Sequence, residues 1–77
     1  MEILNVGQLD RCDPGERVSP QRLKELGLIK HVARPVKLLG DGSLSKRLTV
    51  LVHRASESAK AKVVKAGGSI ELLEQAT

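Results

Sequence analysis

The sequence predicts one small α/β domain over residues 1–77, with a mixed four-stranded sheet, two packed helices and a strand–helix–strand crossover in the C-terminal half. Three observations carry this reading. Leu48, Val50 and Val52 alternate with Thr49, Leu51 and His53, the period-two pattern of a strand with one buried face. Ser19-Pro20 and Ser56-Glu57 each open a helix with a hydroxyl able to cap the first free amides. Gly67-Gly68 then stops the second helix, and Ser69 to Leu73 returns as a strand. So short a crossover predicts Leu48–Val52 and Ile70–Leu73 as parallel neighbours.

The elements follow in order. Glu2 to Val6 is a short β-prone run, and Asp13-Pro14-Gly15 is a strong turn signal in the polar stretch behind it. The first helix places Leu23 and Leu26 on one face, barely two turns long, so it survives only by packing. Gly27 suits a left-handed stop, with Leu28 folding back on Leu23. Pro35 bars helix and delivers Val36 to Leu39 as a strand, after which Gly40-Asp41-Gly42-Ser43 reads as a hairpin turn. In the second helix Ala59, Val63 and Ala66 form a narrow apolar stripe, while Val64 falls nearly opposite it.

Composition bounds the rest. A chain of 77 residues buries only about 60% of the surface its unfolded form exposes, and its core is worth ~3–5 kcal/mol. Cys12 is the single cysteine, so no internal disulfide forms, and cytosol-like surroundings fit best. The two histidines and one thiol make no zinc pattern, and no metal or cofactor is expected. No apolar run approaches a membrane span, and the N-terminus lacks the pattern of a signal peptide. Phe, Tyr and Trp are absent, which removes the stacking platforms of many single-strand readers.

Charge is uneven. Met1 to Ile29 carries −1 and the tail beyond Lys65 carries −2, whereas Lys30 to Lys65 holds nine basic residues against Asp41 and Glu57. That +7 segment suggests a polyanion held through phosphates, against the plainer alternative of a solvated basic face. Lys46, Arg47, Arg54 and Lys60 cluster around the strand-to-helix passage, where free helix amides add to side-chain charge. His53 beside Ser56 and Ser58 lacks a carboxylate to orient it, and Ser56 is needed as a cap, so no enzyme is expected. Asp10, Asp13 and Glu16 fit no calcium loop, and the Gly40–Ser43 turn lacks the lysine and helix of a P-loop.

Val36-Lys37-Leu38-Leu39-Gly40-Asp41-Gly42, Leu48-Thr49-Val50, His53-Arg54, Ser56, Ser58-Ala59, Lys62-Val63 and Ala66-Gly67-Gly68 follow a known pattern in order and spacing. They resemble the C-terminal domain of the bacterial-type family of large-subunit ribosomal protein number fifteen. Asn5-Val6-Gly7-Gln8-Leu9 and Gly27-Leu28-Ile29-Lys30 extend the resemblance over nearly the whole chain. The family's Gly-, Arg- and Lys-rich N-terminal extension has no counterpart here. Ala55 stands where the family often has an aromatic residue, and Val64 where it has a polar one.

The resemblance implies a small α/β domain that binds large-subunit ribosomal RNA, contacts neighbouring ribosomal proteins and works on the cytoplasmic ribosome. It implies no catalysis, no small-molecule substrate and no membrane. With the charge pattern, the expected RNA-binding set is Lys30, Arg34, Lys37, Lys46, Arg47, His53, Arg54 and Lys60. The alternative is a protein-interaction or self-assembling domain, in which Val64 joins an apolar contact and the basic face only solubilises.

Overall fold

The structure is a computed structural model and describes residues 1–74. Among these residues, six strands and two α-helices succeed one another: β1 (Glu2–Asn5), β2 (Arg17–Val18), α1 (Pro20–Glu25), β3 (Val36–Leu39), β4 (Thr49–Val52), β5 (Arg54–Ala55), α2 (Glu57–Lys65) and β6 (Ser69–Leu72). A 3-10 helix, Val6–Arg11, links β1 to the turn before β2. The glutamine at Gln8 reaches back to accept the Asn5 amide at 2.8 Å, which secures that link.

The strands do not form one mixed four-stranded sheet. They form two three-stranded sheets, β1-β3-β5 and β2-β4-β6, and every pairing is parallel. Successive strands alternate between the sheets, so the backbone winds as a coil of three turns. Two features hid this from the sequence. β2 and β5 are two residues each, too short to show any alternation. Gly40–Ser43 also does not close a hairpin, because β3 and β4 belong to different sheets. The β4–β6 pairing is parallel as expected, with Val50 opposite Ile70.

Between β4 and β5 stands a single residue, His53, where the chain crosses from one sheet to the other. Its amide donates to the Val36 carbonyl, and its Nδ1 accepts the Val36 amide, both at 3.0 Å. Histidine suits this corner because its Nδ1 supplies an acceptor where the strand ladder has run out.

Both helices end in the same way. Gly27 and Gly67 have φ of 76° and 89°. In α1 the Leu28 amide donates to Leu23 O and Gly27 to Lys24 O; in α2 Gly68 donates to Val63 O and Gly67 to Val64 O. These are Schellman stops, which satisfy carbonyls that a helix end leaves open. Ser19 and Ser56 cap the two N-termini through the amides of Arg22 and Ala59.

The inner faces of the two sheets share one core. Leu4, Val36 and Leu38 from the first meet Val18, Leu48, Val50 and Val52 from the second, with Leu23, Ala59 and Val63 from the helices. Ile70, on the edge strand β6, is only half-buried against it. Cys12 lies fully inside, although its loop position gave no hint of this. Leu51 faces outward yet is 7% exposed. Arg17 on β2 and Glu71 on β6 reach across the central strand and pair at 2.9 Å, covering it. Val50→Ala is expected to cost about 1–3 kcal/mol through lost burial and a cavity. Urea melts followed by circular dichroism check this; an unchanged midpoint would contradict the packing of β4.

Candidate nucleic-acid interface

Because Leu4, Val36 and Leu38 point inward, Ile3 and Lys37 point outward from the first sheet. The register places Ile3 opposite Lys37, and Lys37 opposite Arg54. Lys37 and Arg54 are therefore neighbours on adjacent strands, about 4.8 Å apart along the hydrogen-bonding direction. Like charges so placed repel, and among the described residues neither forms an ion pair. An anion bridging them would relieve the repulsion.

An open depression here is lined by Lys37 and Arg54 together with His53, Ser56, Glu57, Lys60 and Leu72. Lys60 approaches Glu57 at 3.9 Å, a loose surface pair whose carboxylate side chain is almost wholly solvated. The N-terminus of α2 adds its own positive end, with the Ser56 and Ser58 hydroxyls 3.3 Å apart beside it. Leu72, more than half exposed, gives the depression an apolar side. Charge, hydroxyls and one apolar wall are together suited to a phosphodiester backbone with its sugars.

Of the eight expected residues, four converge here: Lys37, His53, Arg54 and Lys60. His53 is also tied to Val36 and serves the corner as well as the depression. Lys30 and Arg34 are exposed in the loop before β3 and do not line it. That loop is pinned by Glu2, whose carboxylate accepts the amides of Lys30 at 2.6 Å and His31 at 3.1 Å. Those amides, Lys30's first, hold the Glu2 carboxyl below its ordinary range. Lys46 is committed to the fold: its Nζ donates to the carbonyls of Asp10 and Cys12. Arg47 stands at the far end of α2, beside Gly67.

Lys62 belongs to the fold in the same way, and the sequence did not reveal its role. Its Nζ donates to the carbonyls of Gly40 and Gly42. The Asp41 carbonyl in turn accepts the Gly7 amide at 3.0 Å. The Gly-Asp-Gly loop thus turns its carbonyls onto protein donors. Gly42 crosses Gly7 so closely that a Cβ there would lie 2.8 Å from Gly7 Cα. These partners are some 20 to 36 residues apart in sequence, so no local spacing signals them.

The three arginines before Ile29 are engaged: Arg11 with the Leu26 carbonyl, Arg17 with Glu71, and Arg22 with Glu16. Lys30, Arg34, Lys37, Arg47 and Arg54 form no ion pair among the described residues. Engagement does not simply follow the charge asymmetry, since Lys24 is exposed without a side-chain partner among the described residues, whereas Lys46 and Lys62 are held by carbonyls. Burial pushes the Cys12 thiol up to about 11, with Glu16 adding to the effect, so it stays protonated and unreactive. No three His, Cys, Asp or Glu side chains converge on a metal position among the described residues. No helix there is long and apolar enough to cross a membrane.

Comparison with known proteins identifies a family. The matching family model describes the ribosomal proteins 50S-L15 and 50S-L18e together with their 60S counterpart, and it covers residues 3–71. A large ribosomal subunit protein uL15 from Elusimicrobium minutum is 44% identical over 75 residues, which cover 96% of this chain and 49% of the relative. The uL15 of Coprothermobacter proteolyticus is 42% identical over 73 residues, covering 95% and 49%, respectively. That of Lactobacillus johnsonii is 45% identical over 71 residues, covering 92% and 49%. The chain spans about half the length of these relatives. With a match over nearly its whole length, this chain belongs to the ribosomal protein family that unites 50S-L15, 50S-L18e and their 60S counterpart.

Proposed function

We propose that this chain is a non-catalytic module of the large ribosomal subunit that holds ribosomal RNA on the outer face of its first sheet. The in-register, unpaired Lys37 and Arg54 carry the reading. Lys60 and the α2 N-terminus extend the positive surface, and Leu72 supports a sugar or base edge. With no aromatic residue in the chain, the contact reads backbone and shape more than base identity. Neighbouring ribosomal proteins are the second class of partner, and the cytoplasmic ribosome is the place of work. Membership of the family supports both.

A second reading rests on Val64, 63% exposed on α2, which suits apolar contact with another protein or a second copy. Salt separates the two. Anisotropy of a labelled large-subunit ribosomal RNA fragment should show log K falling with log salt at a slope of about −3, one unit for each of Lys37, Arg54 and Lys60. Salt-independent association, with a sedimentation shift of the protein alone, would favour the apolar reading instead.

A further inference from the structure

The second sheet also has an outer face, and it too carries a cation without a partner. Val50 is buried, so Thr49 points outward on β4, and Ser69 lies opposite it on β6. Arg47 precedes Thr49 by two residues and lies toward the same side. Its aliphatic stem rests against Gly67, where a Cβ would sit 3.5 Å from Arg47 Cδ. The depression beside it is lined by Gly15, Arg47, Thr49, Gly67, Gly68 and Ser69. Among the described residues, neither the two hydroxyls nor the guanidinium hydrogen-bonds to another part of the protein. Glu71 shares this face but is neutralised by Arg17 at 2.9 Å.

We infer that Arg47, with the hydroxyls of Thr49 and Ser69, forms a second phosphate site, so that the domain bridges two RNA segments. This rests on the RNA reading of the first sheet and extends it. Gly15 adds no side chain at the edge of the depression, and a Cβ there would meet nothing within 4 Å, so a sugar–phosphate backbone has room to approach. The guanidinium supplies paired donors for phosphate oxygens, and the hydroxyls supply two more. Two sites are required because the sheets share one core, and their outer faces point away from it on different sides. The sites also lie at opposite ends of α2, whose nine residues span about 13 Å. One phosphate cannot touch both.

The test uses the whole chain and one short RNA duplex, supplied as a donor-labelled and an acceptor-labelled population. The parent should bring the two labels together and give energy transfer. Arg47→Gln, which keeps most of the stem over Gly67, should lower transfer by about tenfold while binary anisotropy persists with the salt slope of the first site, about −3, unchanged. Thr49→Val combined with Ser69→Ala should weaken transfer in the same direction. Circular dichroism confirms that each variant is folded. Binding by the parent without transfer, or undiminished transfer by Arg47→Gln, would overturn the second site and leave the first intact. Absence of any binding by the parent would overturn the RNA reading and this inference together.

Discussion

Replacing Gly68 with valine is expected to leave little folded protein. A Cβ at this position would collide with the carbonyl oxygen of Leu48 and lie 2.9 Å from its nitrogen. These are backbone atoms, and they cannot rotate away. The same Leu48 carbonyl accepts the Ser69 amide at 2.9 Å, so relief of the clash pulls β6 off β4. Overpacking of this kind costs about 3 kcal/mol or more, which consumes most of the ~3–5 kcal/mol available to a core this small. Gly67 is constrained differently. It is left-handed, with φ of 89°, but a Cβ there meets only the flexible Arg47 stem in ordinary contact. Gly67→Ala should therefore cost only about 1–2 kcal/mol of backbone strain. Urea melts by circular dichroism rank the two. A larger loss for Gly67→Ala than for Gly68→Val would contradict the close approach of α2's exit to β4.

Lys62→Met is expected to loosen the Gly-Asp-Gly loop while leaving the sheets assembled. Methionine keeps the apolar stem but removes the ammonium that joins the Gly40 and Gly42 carbonyls, the latter at 2.6 Å. A charge-assisted bond contributes about 1.5–3 kcal/mol, and water recovers part of the loss because the loop is partly open. The effect should spread to Gly7, whose amide donates to Asp41. Hydrogen exchange at that amide should accelerate, and the urea midpoint should fall. Lys65→Met provides the comparison, since Lys65 is exposed and has no hydrogen bond or ion pair among the described residues. Equal effects from the two substitutions would mean that the clamp adds nothing.

Local signals carried far in this chain. Period two identified β4, the serine caps fixed both helix starts, and Gly27 and Gly67 marked both Schellman stops. What failed was assembly. Gly-Asp-Gly resembles a hairpin turn, but β3 finds its partners at Glu2–Asn5 and Arg54–Ala55, not in the strand that follows it. Two-residue strands hold only because long neighbours present a ladder to them, and no pattern of their own announces them. The site divides in the same way. Uneven charge was legible, but which lysines remain available depends on distant carbonyls. Lys46 and Lys62 look no different in sequence from Lys37 and Lys60, yet both lie folded against main chain.

We propose that the outer face of the first sheet, rather than net charge, holds the RNA. Lys37→Glu with Arg54→Glu tests it most directly. Both residues lie outside the core, and adjacent acidic charges would repel much as the native cations do. Lys24→Glu with Lys65→Glu makes the same change in net charge at exposed positions away from that face. Anisotropy of a labelled large-subunit ribosomal RNA fragment, measured at several salt concentrations, should show the Lys37/Arg54 variant at least about tenfold weaker than the parent with a slope shallower by about two. The Lys24/Lys65 variant should bind within about threefold of the parent, through the general field alone. Equal losses from the two pairs would contradict the claim and leave only nonspecific attraction of a basic chain to RNA.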